Sequence, residues 1–202
     1  MTKDFIYLAS ASPRRSALLD QIGVPYRVLA PAVSEARRDG ESPEAYVARV
    51  AAEKADRVWE RIAAGESAPV LAADTAVVVD GEVFGKPADA AEALGMLERL
   101  SGRSHTVLTA LALRWQSDRD GVVASSEVRF RATTAAERKA YCLSGEPFDK
   151  AGAYAIQGLG ALFVEHLSGS HSAVMGLPLC ETARLLGRYG LPAWLASGAV
   201  PG

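Results

Sequence analysis

Four groups of polar residues have the types and spacing to do chemistry. The first is Ser10, Ser12, Arg14 and Arg15 in the run SASPRR, where Ser12 reads as a helix N-cap and Pro13 as the first helical residue. A helix start carries partial positive charge, so each arginine there costs a few tenths to about 1 kcal/mol unless an anion binds among them. Hydroxyls, open helical N–H groups and guanidiniums together make a phosphate cradle. An ordinary cap followed by solvated arginines is the competing reading. The second group is Asp74-Thr75, after the apolar run VLAA: a carboxylate at a strand end holds a divalent cation or serves as a general base, or simply forms a turn. In the third, Gly85 and Pro87 fix a turn that aims Lys86, which taken alone reads as a solvated lysine. The fourth is DKAGAYAIQG (149–158). Its small residues permit close backbone approach, and the Gln157 amide suits a nucleobase edge or a buried backbone group.

Other chemistries are poorly represented. No GxGxxG, GxSxG, Walker lysine or Ser-His-Asp order is present. His105, His166 and His171 lack ligand spacing, and surface or capping roles are expected for them. Cys142 and Cys180 belong to no CxxC pair and read as buried free thiols in a reducing compartment.

The elements that must position these groups follow from periodicity. Residues 5–9 form an apolar strand, and Ala17, Leu18 and Ile22 give the next helix its face, ending at Gly23. A second strand is expected over 25–29, then a polar loop, SEARRDGE. Ser42-Pro43 opens a long helix with the stripe Val47, Ala51, Ala55, Val58, Ile62, closed by Gly65. Lys54 falls one residue off that stripe, at the border of the buried face. A strand over 70–74 ends at Asp74, and TAVVVDGEVF reads as a hairpin turning at Asp80-Gly81. A helix over 89–100 presents Leu94, Leu97 and Leu100. Two β segments, 105–115 and 122–132, are joined by the loop QSDRDG. A helix over 134–144, a strand over 161–167 and a helix over 177–190 complete the series, and the tail ASGAVPG reads as frayed. Interleaved helices and strands with no linker indicate an α/β fold with a mixed sheet.

Composition narrows the function classes. A chain of 202 residues with 49% hydrophobic and 23% charged residues buries a core without metal or disulfide staples. A formal net charge of −2 disfavours a stable nucleic-acid partner. No apolar run reaches the roughly 18 residues of a membrane span, and MTKDFIYLAS lacks the apolar core of a signal peptide, so a cytoplasmic location is expected.

Taken together, SASPRR, Glu35 in the following loop, EKA (53–55), ADT (73–75), GKP (85–87), DKAGAYAIQG and GLPL (176–179) stand in the order seen in the Maf family of nucleotide pyrophosphatases. The chain resembles that family from about Leu8 to Leu191. The resemblance implies one Maf-like domain over 1–202, an α/β fold of the Maf and inosine-triphosphatase kind. Its mixed central sheet would be flanked by helices, with two lobes around a deep cleft, often in a homodimer. It also implies cleavage of a nucleoside triphosphate to the monophosphate and pyrophosphate with a divalent cation, magnesium or manganese. This is a house-cleaning activity that the family links to cell division.

Arg14, Thr75 and Gln157 are similar to the branch acting on dTTP and UTP. The 7-methyl-GTP branch typically replaces the first arginine and carries SDQ and SEG-like segments for ADT and IQG. Carried over by motif, Asp74 is the general base, Glu35 and Asp74 lie near the metal, and Ser10, Arg15, Lys54 and Lys86 bind phosphates. Gln157 accepting from uracil N3–H and donating to O4 matches the edge shared by uracil and thymine, whereas a flipped amide matches cytosine. Met175 departs from the aliphatic β-branched residue commoner at its position. A nucleotide- or nucleic-acid-binding regulator without catalysis, and a pyrophosphatase of another base specificity, are the alternatives.

Overall fold

The computed structural model describes residues 5–62 and 68–191. Gly65 and the tail ASGAVPG lie outside them. Among the described residues, β1 (Ile6–Leu8), β2 (Tyr26–Val28), β3 (Val70–Val79), β4 (Glu82–Phe84), β5 (Ser104–Trp115), β6 (Asp118–Phe130) and β7 (Val164–Ser168) form one mixed sheet in the order β2-β1-β3-β5-β6-β7, with β4 on β3. The chain divides into two compact units, each drawn from separated stretches: 1–74, 110–123 and 176–202 for the first, 75–109 and 124–175 for the second. No single cut in the sequence divides them. Among the described residues no helix is long and apolar enough to cross a membrane.

In the first unit, β1 (Ile6–Leu8) pairs in parallel with β2 (Tyr26–Val28) and with the start of β3 (Val70–Val79), in the registers Leu8↔Val28 and Leu8↔Leu71. Between β1 and β2 runs α1 (Pro13–Gln21), with Pro13 at its start as expected. It buries Leu18 and Leu19, not Ala17, which is exposed: the larger side chain takes the covered position. The 20-residue α2 (Pro43–Ile62) buries Tyr46, Val47, Val50, Ala51, Lys54, Ala55 and Val58. Lys54 is therefore on the apolar face itself, not at its border. Its position is three residues after Ala51 and four after Val50, in the same i, i+3, i+4 stripe. The C-terminal helix α6 (Leu179–Arg188) starts two residues later than expected and covers Leu185 and Leu186.

The second unit has its own core of Val77, Val79, Phe84, Leu97, Leu100, Phe130, Tyr154 and Phe163, among others. β3 turns into β4 (Glu82–Phe84) at Asp80-Gly81 with φ of 51° and 77°, the paired left-handed residues that a two-residue hairpin needs. α3 (Ala90–Leu100) is capped by Asp89, which accepts from the Glu92 N–H at 2.8 Å, and α4 (Ala135–Leu143) by a Thr134–Glu137 capping box.

Several expectations are corrected. β3 does not end at Asp74 but runs on to Val79, because strand ladders are made by the backbone and the Asp74 side chain has a buried partner. The hairpin of β5 (Ser104–Trp115) and β6 (Asp118–Phe130) turns at Gln116-Ser117, so the polar residues 118–121 are strand, with side chains largely in water. Residues 159–163 form a 3-10 turn, and β7 covers only Val164–Ser168. A short helix, α5 (His171–Met175), was not expected. Cys142 is buried, but Cys180 is exposed. His105 is buried, not superficial: its Nε2 lies 2.8 Å from the Tyr154 hydroxyl, and burial pushes its pKa down to about 4.

Candidate functional site

In the first unit the elements converge two carboxylates on one ammonium. Lys54 Nζ, delivered by α2, lies 2.7 Å from Asp74 Oδ1 on β3 and 2.6 Å from Glu35 Oε1 in the loop before α2. The side chains of Lys54 and Asp74 are only 11% and 8% exposed, whereas Glu35 is 45% exposed. The cluster is thus buried at its lysine and aspartate and open at its glutamate. Burial pushes the Asp74 carboxyl above its ordinary value; the Lys54 charge and hydrogen bond and the Arg15 charge oppose that, and Glu35 adds to it. A carboxylate raised in this way is a better proton acceptor than one in water.

The Glu35 loop is held by α2 itself. The Tyr46 hydroxyl donates to the Glu35 carbonyl at 2.9 Å, and burial, with Asp74 and Glu35 nearby, pushes its pKa up to about 12, so it stays a donor. Arg49 donates to both carboxylate oxygens of Glu41, at 2.6 and 2.8 Å, and to the Ala36 carbonyl at 3.0 Å. Three of its N–H groups thus brace the loop at Ala36 and Glu41.

At the start of α1 no acidic residue answers the dipole. Ser12 takes the N-cap backbone conformation, but its hydroxyl makes no cap bond; instead the Ser10 hydroxyl accepts from the Ser12 N–H at 3.2 Å and from Arg15 Nη1 at 3.0 Å. Arg15 Nε donates to the Gly176 carbonyl at 2.8 Å. Burial pushes the Arg15 pKa down, Asp74 pulls it up and Arg14 pushes it further down. A guanidinium stays charged regardless, so what the shift registers is the cost of burying this cation, and an anionic ligand would relieve it.

In the second unit, Thr75 Oγ1 lies 3.0 Å from Thr109 Oγ1, which donates its one proton to the Ala173 carbonyl at 2.7 Å. Thr75 is therefore the donor to Thr109 and its rotamer is set. Lys86 is exposed on a turn whose Gly85 carbonyl accepts from the Gly152 N–H at 3.0 Å, so the GKP turn is tied to the DKAG run. Gly152 has φ of 69°, and a Cβ there would meet Val77 Cγ2 at 2.7 Å, so this run needs glycine on two counts. Gln157 is exposed, not packed inside a strand.

Residues 5–189 match the family model described as Maf-like protein. The chain belongs to the Maf family. Among curated Maf relatives, a protein of Methylococcus capsulatus named dTTP/UTP pyrophosphatase is 54% identical, over 97% of this chain and 96% of that one. Proteins with the same name from Burkholderia pseudomallei and Bordetella avium are 53% and 50% identical over 90% and 92% of this chain, and over 92% and 96% of their own lengths. A solved nucleoside-triphosphatase / dITP/XTP pyrophosphatase from Mycobacterium abscessus is 22% identical with a TM-score of 0.39, over 62% of this chain and 73% of that one, too slight a likeness to bear on base preference.

Of the Maf motif residues, the structure joins Ser10 to Arg15, and Glu35 to Lys54 and Asp74, within the first unit. Thr75, Lys86 and Gln157 belong to the second. Tyr46, Arg49 and Thr109 escaped the sequence reading. Tyr46 precedes the stripe residue Val47 and Arg49 the buried Val50, so their positions carried a helical signal; Thr109 is one of several residues in an apolar strand and carried none. Among the described residues no group of three or more His, Cys, Asp and Glu forms a metal cluster. The donor set Glu35 and Asp74 nevertheless fits a magnesium-type ion, which takes one or two carboxylates and completes its shell with water and substrate phosphate oxygens.

Proposed function

We propose that the chain is a nucleoside triphosphate pyrophosphatase that hydrolyses dTTP and UTP to the monophosphate and pyrophosphate. The observation that carries this is the buried Asp74, gripped by Lys54 beside the open carboxylate of Glu35 and near the Arg15 guanidinium. The relatives' names and their identity to this chain support the substrate class. Asp74 Oδ1 faces Lys54, so Oδ2 is the oxygen left to take the proton of a water as its oxygen bonds to the α-phosphorus. The α–β bridging P–O bond breaks, and its electron pair leaves on pyrophosphate. Ser10, Arg15, Lys54 and Lys86 bind the phosphates, the three cations complementing the charge that develops on the departing oxygens. Glu35 and Asp74 would hold magnesium or manganese, which when bound neutralises phosphate charge. Arg14, Thr75 and Gln157 select the base.

The test is pyrophosphate release from a panel of nucleoside triphosphates with magnesium or manganese. Faster turnover of dTTP and UTP than of purine triphosphates is expected. Equal or faster turnover of purines refutes the base preference, and UTP that binds but is not hydrolysed refutes the enzyme. We further read the chain as a cytoplasmic homodimer without a stable nucleic-acid partner; light scattering of the purified protein checks the assembly.

A further inference from the structure

The segment that carries Gln157 is closed around one carboxylate from outside it. Glu146 Oε1 accepts from the Tyr141 hydroxyl at 2.7 Å and from the Gly160 N–H at 3.1 Å, and Oε2 accepts from the Leu159 N–H at 3.0 Å. The Tyr141 oxygen in turn accepts from the Ala155 N–H at 3.1 Å. The pair thus holds the backbone two residues before Gln157 and two and three residues after it. A Cβ at Gly158 would come within 2.3 Å of Glu146 Oε2, so the chain passes over the carboxylate only because that residue is glycine. Lys150 Nζ donates to the Glu146 carbonyl at 2.7 Å and anchors the backbone from which the carboxylate projects. Burial opposes the Glu146 charge, but the Leu159 amide, Tyr141 hydroxyl, Gly160 amide and Lys150 outweigh it and hold the carboxyl below its ordinary value. All these residues lie in the second unit.

An exposed glutamine has little packing of its own to orient it. Its two amide faces differ only by donor and acceptor, and a flipped amide suits cytosine where the other suits uracil and thymine. The backbone on either side sets where that amide stands, and a displaced amide loses the hydrogen bonds that distinguish the two edges. We propose that Glu146, acting through Tyr141 and the amides it gathers, is a positioning residue for base selection: it holds segment 155–160 so that the Gln157 amide stands where it can pair with a pyrimidine edge. This rests on the reading of Gln157 as a base-selecting residue.

The experiment measures kcat and KM for dTTP, UTP, CTP and GTP in the wild type, Glu146→Gln, Tyr141→Phe, Gln157→Ala and the Glu146→Gln/Gln157→Ala pair. In Glu146→Gln an amide NH2 replaces one acceptor facing backbone donors. The preference for UTP over CTP should fall about tenfold, through KM more than kcat. Tyr141→Phe keeps the ring that packs edge-on against Phe163 and loses only the hydroxyl, so it carries the test if Glu146→Gln does not fold. A fall of several-fold is expected from it. In the Gln157→Ala background, Glu146→Gln should change the preference no further. Folded Glu146→Gln or Tyr141→Phe with wild-type preference, while Gln157→Ala loses it, overturns the proposal and leaves the Gln157 reading standing. A preference that survives Gln157→Ala overturns both.

Discussion

Replacing Lys54 by methionine keeps the length and apolar stem of the side chain and deletes one buried charge. At 2.7 Å the Lys54–Asp74 attraction is about 6 kcal/mol at an effective dielectric of ~20. Much of it offsets desolvation, and removing one partner of such a buried pair costs about 3–5 kcal/mol. Protonation limits the loss: Asp74 can neutralise itself at about 1.36 kcal/mol per pH unit above its ordinary value of 3.8. That ceiling is about 6 kcal/mol at pH 8 and about 1.6 kcal/mol at pH 5. The sign follows from linkage. A carboxyl whose folded pKa is raised leaves the folded state holding more protons than the unfolded one, so stability is greatest below the ordinary pKa and falls as pH rises through the folded one. Without Lys54 the folded pKa rises further and the window widens upward. Denaturant unfolding of the wild type and Lys54→Met should therefore differ by about 3–5 kcal/mol at pH 8 and by under about 2 kcal/mol at pH 5. Adding Asp74→Asn to Lys54→Met should recover most of the loss at pH 8. A deficit independent of pH, or one that Asp74→Asn leaves untouched, would refute the electrostatic account and point to packing of the lysine stem.

Asp74→Asn alone should lower turnover by about two to four orders of magnitude while triphosphate binding, followed by calorimetry, is retained; full activity removes the base role. Because burial raises the Asp74 carboxyl, its titration in the metal-free protein, followed by NMR, should have its midpoint above the ordinary 3.8; a midpoint at or below that value contradicts the desolvation argument. Gly152→Ala should cost about 1–3 kcal/mol in denaturant unfolding, from the contact with Val77 and the left-handed backbone, and should weaken triphosphate binding through the linked Lys86 turn.

The sequence was readable where chemistry and periodicity coincide. Pro13, Asp80-Gly81 and Ser42-Pro43 announce their turns and helix starts because their backbone requirements are local. Asp74 shows its chemistry in the sequence but not its place within the strand, since nothing local reveals that a lysine twenty residues earlier neutralises it inside the sheet. Lys54 stands one residue off the stripe through Ala51, Ala55 and Val58, which points to the border of the buried face, whereas its spacing from Val50 and Ala51 places it in the core. Tyr46, Arg49 and Glu146 act through carbonyls and amides distant in the chain, and such pairings leave no pattern in side-chain type.

The bond from Arg15 to the Gly176 carbonyl spans 161 residues. During synthesis at about 5–20 residues per second, the arginine leaves the ribosome roughly 8–30 s before its partner. The first unit recruits residues from 110–123 and from beyond 175, including buried Leu185 and Leu186, so its early segments must wait for late ones. Contacts of such separation make folding slow, and they also set its order: the arginine expected to take the triphosphate is made long before Gly176 and anchored only after it. A nascent chain stalled before Gly176 carries the motif without its anchor, and activity should appear only once Gly176 has been made.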